Sequence, residues 1–101
     1  MIVEIASILV KPGHDELFEA AIKQAVDVLK RAEGCHGVQL QRCIETPELY
    51  QVHIRWRSVD DHMTGFRNSP LFQEWRALIG PHFASPPTVQ HFEYTTESFT
   101  F

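Results

Sequence analysis

The chain has 101 residues, a hydrophobic fraction of 44% and a formal net charge of −4 at pH 7. This length suits one domain spanning residues 1–101, and the apolar content suits a globular core and argues against disorder. An acidic chain has no general attraction for phosphate backbones or anionic lipids, so we expect no nucleic-acid partner and no membrane partner.

The N-terminal stretch and the cysteines indicate a cytoplasmic protein. The apolar stretch MIVEIASILVKPG is interrupted by Glu4 and Ser7 and is far shorter than the ~20 residues that cross a bilayer. It lacks a cationic leader and a cleavage pattern. Cys35 and Cys43 have neither C-x-x-C spacing nor a disulfide framework, so we expect reduced thiols.

The first half of the chain contains one strand, one helix and a hairpin. Residues 2–10 are rich in Ile and Val and end at a Lys-Pro-Gly turn, which predicts a strand. Residues 15–32 carry apolar side chains at helical spacing and end before Gly34, a residue type favoured just past a helix. Residues 37–45 and 49–57 alternate between apolar and polar side chains around a Thr-Pro-Glu turn, which predicts an antiparallel hairpin.

The second half contains a broken helix and a last strand. Ser58 can cap a short helix that stops near Gly65. A second start at Asn68-Ser69-Pro70 predicts a helix that runs through Leu78 or Ile79, and residues 88–96 predict a strand. The resulting β-α-β-β-α-β order predicts an α+β, ferredoxin-like fold: a four-stranded antiparallel sheet with both helices on one face.

The other face of this sheet has no helix to cover it. It is expected to carry polar side chains together with two bulky aromatic ones, namely Gln39, Gln41, His53, Arg55, Phe92 and Tyr94. We expect this face to pack against a second copy of the chain, so that two sheets close into a barrel-like homodimer.

The stretch GFRNSPLFQEWR, residues 65–76, combines aromatic and cationic side chains. Its helical spacing places an apolar stripe on one side, for which core packing is the simplest interpretation. Trp75 differs from the rest of the stripe because a buried indole N–H needs a partner. Arg67 and Arg76 either face solvent, with Glu74 as a nearby ion-pair partner, or turn inward to bind an anionic oxygen of an aromatic ligand.

Among the histidines, His62 is the best candidate for acid–base chemistry, because it precedes Phe66 by one turn and shares its face. An exposed or capping role is the alternative, and His82 is a weaker candidate. The histidines have no metal-binding spacing, so we expect no metal site. Motifs for serine hydrolysis, nucleotide hydrolysis and dinucleotide binding are also missing.

The element order and several short strings resemble the antibiotic biosynthesis monooxygenase (ABM) family over residues 2–94. These strings are YQVHIRW at residues 50–56, Ser58-Val59 and SPLF at residues 69–72. GFRNSPLFQEWR with Pro87 and His91 downstream is similar to one subgroup of small ABM proteins. The resemblance implies a dimeric α+β barrel with a pocket between the helices and the sheet of each subunit.

Two activities are characteristic of the ABM family. Some members are cofactor-independent monooxygenases that oxidise polyketide phenols or quinols, and others degrade haem. The Asn, Trp and His used by the haem degraders correspond here to Ala6, Phe66 and Arg76. All three differ, so the resemblance disfavours haem degradation.

We therefore predict a cofactor-independent monooxygenase that acts on a small aromatic phenol or quinol. His62 would take the proton, and Arg76 or Trp75 would hold the oxyanion. The residues expected to bind the substrate are Trp56, Phe66, Arg67, Phe72 and Phe83. Two alternatives stay open: a non-catalytic ligand-binding or stress-associated dimer with the same pocket, and a dimer without a pocket in which Trp56, Phe66 and Trp75 fill the core.

Overall fold

The computed structural model describes residues 1–101 and confirms the α+β fold predicted from the sequence. Four antiparallel strands form one sheet in the order β2-β3-β1-β4. The strands are β1 (Ile2–Leu9), β2 (Cys35–Arg42), β3 (Leu49–Trp56) and β4 (Thr88–Phe92). The helices are α1 (Asp15–Lys30) and α2 (Pro70–Ile79), with a π-helical turn at Asp61–Phe66 before α2 and a 3₁₀ turn at Gly80–His82 after it.

Two strands differ in their bounds from the sequence prediction by more than one residue. β2 begins and ends earlier than residues 37–45, because Cys35 already pairs with Trp56 across an irregularity in the ladder. β4 stops at Phe92 rather than at residue 96. Its last pair is Phe92 with Val3. Because β4 runs antiparallel to β1, and β1 begins at Ile2, almost no part of β1 remains beyond this pair.

The core lies between the helices and one face of the sheet. Strand alternation directs Ala6, Ile8, Val52 and Ile54 toward the helices, where they join a buried cluster of 17 residues. Phe18 of α1 belongs to this cluster and is completely buried. The apolar side of α1 therefore packs toward the sheet, where the backbone of α1 lies closest to β2, and α1 also packs against α2.

The connection between β3 and α2 contains one turn of π-helix. The Arg67 backbone N–H donates to the carbonyl oxygen of His62, five residues earlier, at 3.0 Å, and this spacing is that of a π-helical hydrogen bond. The turn directs His62 and Phe66 inward, where they are 3% and 4% exposed. The sequence predicted a short helix here, but its wider π-helical geometry was not predicted.

Polar contacts anchor this turn to the end of the sheet. The Asp61 backbone N–H donates to Ser58 Oγ at 3.1 Å, as expected for a capping serine. The Arg57 guanidinium donates two hydrogen bonds of 2.8 Å to the Asp61 carboxylate. That carboxylate lies directly over Gly34, which has a φ of 80°.

The face of the sheet away from the helices is uncovered in the single chain. Phe92 lies on this face beside Val3 and is 51% exposed. His53 also points to this face, and its Nε2 atom is buried without a hydrogen-bond partner. Tyr94 lies beyond the end of β4 and is 81% exposed.

Neither α1 nor α2 combines the length and hydropathy that crossing a bilayer would require.

Replacing Gly34 with Ala should destabilise the protein more than replacing Gly13, although both have φ near 80°. The left-handed backbone costs about 1 kcal/mol at either site. A Cβ at position 34 would also overlap the Asp61 carboxylate, whereas position 13 has open space. Urea unfolding at one fixed protein concentration should give Gly34→Ala a further loss of about 1 kcal/mol. Equal losses for the two variants would contradict this account.

Candidate functional site

A pocket of about 630 Å³ opens between α2, the π-helical turn and the sheet. Small-molecule sites in proteins are typically about 300–1,000 Å³ and mostly apolar, with a few polar groups. Seven of the eight residues that the sequence singled out line this pocket: His62, Phe66, Arg67, Phe72, Trp75, Arg76 and Phe83. The positions matched to the haem degraders, Ala6, Phe66 and Arg76, are among its lining residues as well.

Trp56, the eighth of those residues, lies behind the pocket wall. Its side chain is 0% exposed and is absent from the lining residues. Its indole N–H donates to Glu4 Oε1 at 2.9 Å. Trp56 therefore supports the carboxyl group of Glu4, which itself lines the pocket.

Glu4, Trp56, His62 and His91 form a buried polar cluster at the sheet side of the pocket. Glu4 is 5% exposed and His62 is 3% exposed. His62 Nε2 lies 3.2 Å from Glu4 Oε1, and His62 Nδ1 lies 2.8 Å from His91 Nε2. Four separate elements supply these residues: β1, β3, the π-helical turn and β4.

Ring packing fixes the orientation of His62. Its imidazole stacks on the Trp56 indole, with ring centroids 5.1 Å apart and planes 20° from parallel. Phe66 packs against the same indole at 5.4 Å and meets Phe72 edge-on at 5.7 Å. The imidazole therefore has little freedom to rotate away from Glu4 and His91.

Burial shifts the pKa values of this cluster in opposite directions. It raises the pKa of Glu4 to about 7, against the opposing effects of the Trp56 hydrogen bond and the Arg67 charge. It lowers the pKa of His62 to about 4, assisted by the charges of His91 and Arg67. Burial, assisted by Arg67, also lowers the pKa of His91. The neutral form of each group is favoured because a charge in this dry environment is poorly solvated.

Arg67 and Arg76 flank the pocket at Phe72. Their guanidinium carbons lie 5.2 Å and 5.8 Å from the centroid of the Phe72 ring. Neither arginine forms a salt bridge, and Glu74 pairs with Arg31 at 2.9 Å. Two exposed guanidinium groups beside an aromatic wall can donate hydrogen bonds to a phenolate or another anionic oxygen.

His82 lies outside the pocket. Its Nδ1 atom is 3.0 Å from Nδ1 of His14, near the start of α1. No group of three or more His, Cys, Asp or Glu side chains in the structure is arranged to hold a metal ion.

Sequence reasoning missed Glu4 as a site residue and named His91 only as part of a family pattern. A signal for Glu4 was present: in an alternating strand it shares a face with Ala6 and Ile8, which places a carboxylate among core side chains. To identify His91 as a site residue from its position, one needs the register of β4, in which His91 pairs with Glu4. The loop Ala84, Ser85, Pro86 and Pro87 also lines the pocket, and nothing in its composition indicated this.

The opposed pKa shifts predict opposite effects of pH on the stability of two variants. Between pH 4.5 and 7 folded Glu4 keeps a proton that the unfolded chain has lost, so its contribution to stability falls as pH rises. Between pH 4 and 6.5 folded His62 lacks a proton that the unfolded chain holds, so its contribution rises with pH. In the native protein the two effects largely cancel between pH 4.5 and 6.5.

Replacing Glu4 with Gln should therefore make stability rise with pH relative to the native protein, by up to about 1.4 kcal/mol per pH unit. Replacing His62 with Phe, which keeps an aromatic ring against Trp56, should make it fall by a similar amount. Urea unfolding at several pH values between about 4.5 and 6.5 measures both slopes. Parallel pH profiles for the two variants would show that these groups are not shifted by burial.

Known proteins similar to this chain share both its sequence and its fold. A crystal structure from Bordetella bronchiseptica, provisionally named an antibiotic biosynthesis monooxygenase, is 52% identical with a TM-score of 0.93, over 94% of this chain and 97% of that one. The uncharacterised Bacillus subtilis (strain 168) protein YczJ is 34% identical over 93 residues, which cover 92% of this chain and 98% of that protein.

A more distant neighbour shares the fold. SnoaB, a cofactor-independent oxygenase from Streptomyces nogalater, superimposes with a TM-score of 0.78 at 14% identity, over 95% of this chain and 94% of that one. The sequence model of the antibiotic biosynthesis monooxygenase family matches residues 1–78. The chain therefore belongs to the antibiotic biosynthesis monooxygenase family.

Proposed function

We propose that this protein is a cofactor-independent monooxygenase that oxidises a small phenol- or quinol-type aromatic substrate in the helix–sheet pocket. The observation that carries the proposal is the composition of the pocket. Aromatic walls, a buried proton-accepting group and two arginines without ion-pair partners meet around one cavity of about 630 Å³. The family assignment supports the reaction type, and the pocket supports the substrate class.

In this reaction the substrate itself supplies the electrons. Deprotonation of a phenol gives a phenolate that can pass one electron to O₂, leaving a substrate radical and superoxide. Their recombination forms a carbon–oxygen bond and a peroxide. For a ring CH₂ group, loss of water from the peroxide leaves a carbonyl: one oxygen atom stays on carbon and the other departs with two hydrogens. The protein must supply a dry pocket, a proton acceptor and donors for the oxyanion.

The pocket residues divide among these tasks. The proton acceptor belongs to the buried polar cluster, which contains His62. Arg76, with Arg67 beside it, holds the oxyanion. Trp75 is a second donor, because its side chain lines the pocket and forms no hydrogen bond with the protein. The residues that form the aromatic walls are Phe66, Phe72 and Phe83.

A haem group does not fit these residues. His62 is the only histidine that lines the pocket. Its Nδ1 is hydrogen-bonded to His91, and its Nε2 lies 3.2 Å from the Glu4 carboxyl group rather than in open space. Arginine, at the position that corresponds to the His of the haem degraders, is not an iron ligand.

The second candidate function is ligand binding without turnover, which would use the same pocket. The pocket favours both candidates over a core filled by Phe66 and Trp75, since both side chains leave space beside them. Oxygen consumption separates the two candidates.

We also propose that the protein is a homodimer that pairs through the uncovered face of its sheet. Phe92 and the unpaired His53 Nε2 on this face support it, because a second copy could bury the aromatic ring and offer a partner to the imidazole.

Purified protein without added metal or flavin should consume O₂ when supplied with an anthrone or a hydroquinone. Replacing Arg76 with Ala should lower kcat/KM by about 10- to 100-fold, the value of one charge-assisted hydrogen bond. Arg31→Ala is the matched control, because Arg31 pairs with Glu74 outside the pocket. An oxygen electrode measures the rates. No O₂ consumption with substrates of either class would exclude the oxygenase and leave the binding function.

Replacing Phe92 with Glu should dissociate the dimer, because it would place a charge within the proposed sheet interface. Leu17→Glu is the control: Leu17 is 56% exposed on α1, and Phe92 is 51% exposed on β4. Sedimentation velocity should show a monomer for the first variant and a dimer for the second. A native protein that sediments as a monomer would overturn the proposed pairing.

A further inference from the structure

Glu4 has a carboxyl oxygen that is free to contact a ligand in the pocket, and His62 lies between Glu4 and His91. His62 Nδ1 shares a hydrogen bond of 2.8 Å with His91 Nε2, and His62 Nε2 lies 3.2 Å from Glu4 Oε1. Glu4 uses only its Oε1 atom, which faces Trp56 Nε1 and His62 Nε2. Its Oε2 atom has no hydrogen-bond partner, and the side chain lines the pocket with 7% of its area exposed.

We propose that Glu4 is the catalytic residue that exchanges a proton with the bound phenol, and that His62 and His91 conduct this proton between Glu4 and solvent. This inference rests on the proposed oxygenase function and deepens it. It differs from the sequence-based hypothesis, in which His62 itself takes the substrate proton.

The proton transfers balance without any further reactant. The ionised carboxylate of Glu4 takes the phenol proton, leaving a phenolate and a neutral carboxylic acid. The proton arrives on Oε2, and a half-turn of the carboxyl group brings this oxygen to His62 Nε2. Glu4 then passes the proton to His62 Nε2 while His62 releases its Nδ1 proton to His91 Nε2. His91 releases a proton from its other nitrogen to water. The histidines end in the opposite tautomer, which the reverse transfer restores, and no electron moves in these steps.

The position of His91 gives the chain of groups an outlet. β4 is an edge strand that pairs only with β1, and His91 is partly exposed on it. The distances of 3.2 Å and 2.8 Å along the chain are both suitable for proton sharing. Glu4 reaches the pocket at one end, and His91 approaches solvent at the other.

The charges around Glu4 suit proton exchange near neutral pH. Burial raises the pKa of its carboxyl group to about 7, while the Trp56 hydrogen bond and the Arg67 charge oppose the rise. The neighbouring titratable groups are His62 from the π-helical turn, His91 from β4 and Cys35 from β2, whose thiol pKa is raised by burial. A proton acceptor is most effective when its pKa lies near the working pH.

The first test needs no turnover. Infrared spectra of the ligand-free protein distinguish the carbonyl band of a neutral carboxyl group from the bands of a carboxylate. We expect a neutral carboxyl band that disappears near pH 7, the pKa raised by burial of Glu4. Glu4→Gln should abolish it. Glu19→Gln is the control, because Glu19 accepts a hydrogen bond from Tyr50 outside this pocket, and it should keep the band.

The second test measures O₂ consumption. Glu4→Gln should lower kcat by about 100- to 10,000-fold, the usual contribution of a general base, while substrate binding stays within about threefold. His91→Gln should lower kcat less, and added imidazole should restore it, as expected for a relay residue rather than a structural one. His36→Gln is the control for His91, because His36 is exposed and lies outside the pocket.

The outcomes separate the two proposals. A native enzyme that turns over while Glu4→Gln is equally active overturns the role of Glu4 and leaves the oxygenase standing. A native protein that consumes no O₂ but shows the Glu4 band overturns the oxygenase and supports Glu4 as the ionisable group of the pocket. A Glu4 carboxylate already ionised below about pH 6, beside a cationic His62, overturns the relay. Unchanged kcat in His91→Gln overturns the role of His91 as the group that releases the proton to solvent.

Discussion

The burial of one carboxyl group beneath the helices is the constraint on which the site depends. Glu4 occupies an inward position of a central strand, where a charge is costly to hold. The indole N–H of Trp56 donates a hydrogen bond of 2.9 Å to one oxygen of this carboxyl group, which offsets part of the cost of burial. The His62 imidazole lies beside the same oxygen. The indole is in turn the surface on which His62 and Phe66 pack. One buried acid therefore explains why a polar tryptophan and a histidine lie inside an otherwise apolar core.

The π-helical turn places His62 beside this buried carboxyl group from the helical side of the sheet. A π-helical turn is wider than an α-helical one, and in this protein it directs both His62 and Phe66 toward the sheet. The same turn leaves Arg67 at the pocket edge, where its charge acts on Glu4, His62 and His91. The geometry that buries the imidazole thus also places a cation near the cluster.

Local patterns predicted the elements, but the site required contacts between distant residues. Strand alternation and the Ser58 and Pro70 helix starts gave the fold, because they depend on residues near in sequence. The stripe through Phe72 and Trp75 pointed to the pocket for the same reason. Glu4 and Trp56, which share a hydrogen bond, are 52 positions apart in the sequence. His62 and His91 are 29 positions apart. Such contacts depend on strand register, which one sequence read alone does not reveal.

The match to the family model ends at residue 78, before β4 and the loop that lines one side of the pocket. Three strands and nearly all of both helices are therefore enough to establish membership, whereas His91 and the residues 84–87 lie outside the matched region. The residues that match the family and the residues that close this side of the pocket therefore lie in separate parts of the chain. An exchange of the last two dozen residues between relatives would alter the outlet and rim of the cavity while leaving its buried acid in place.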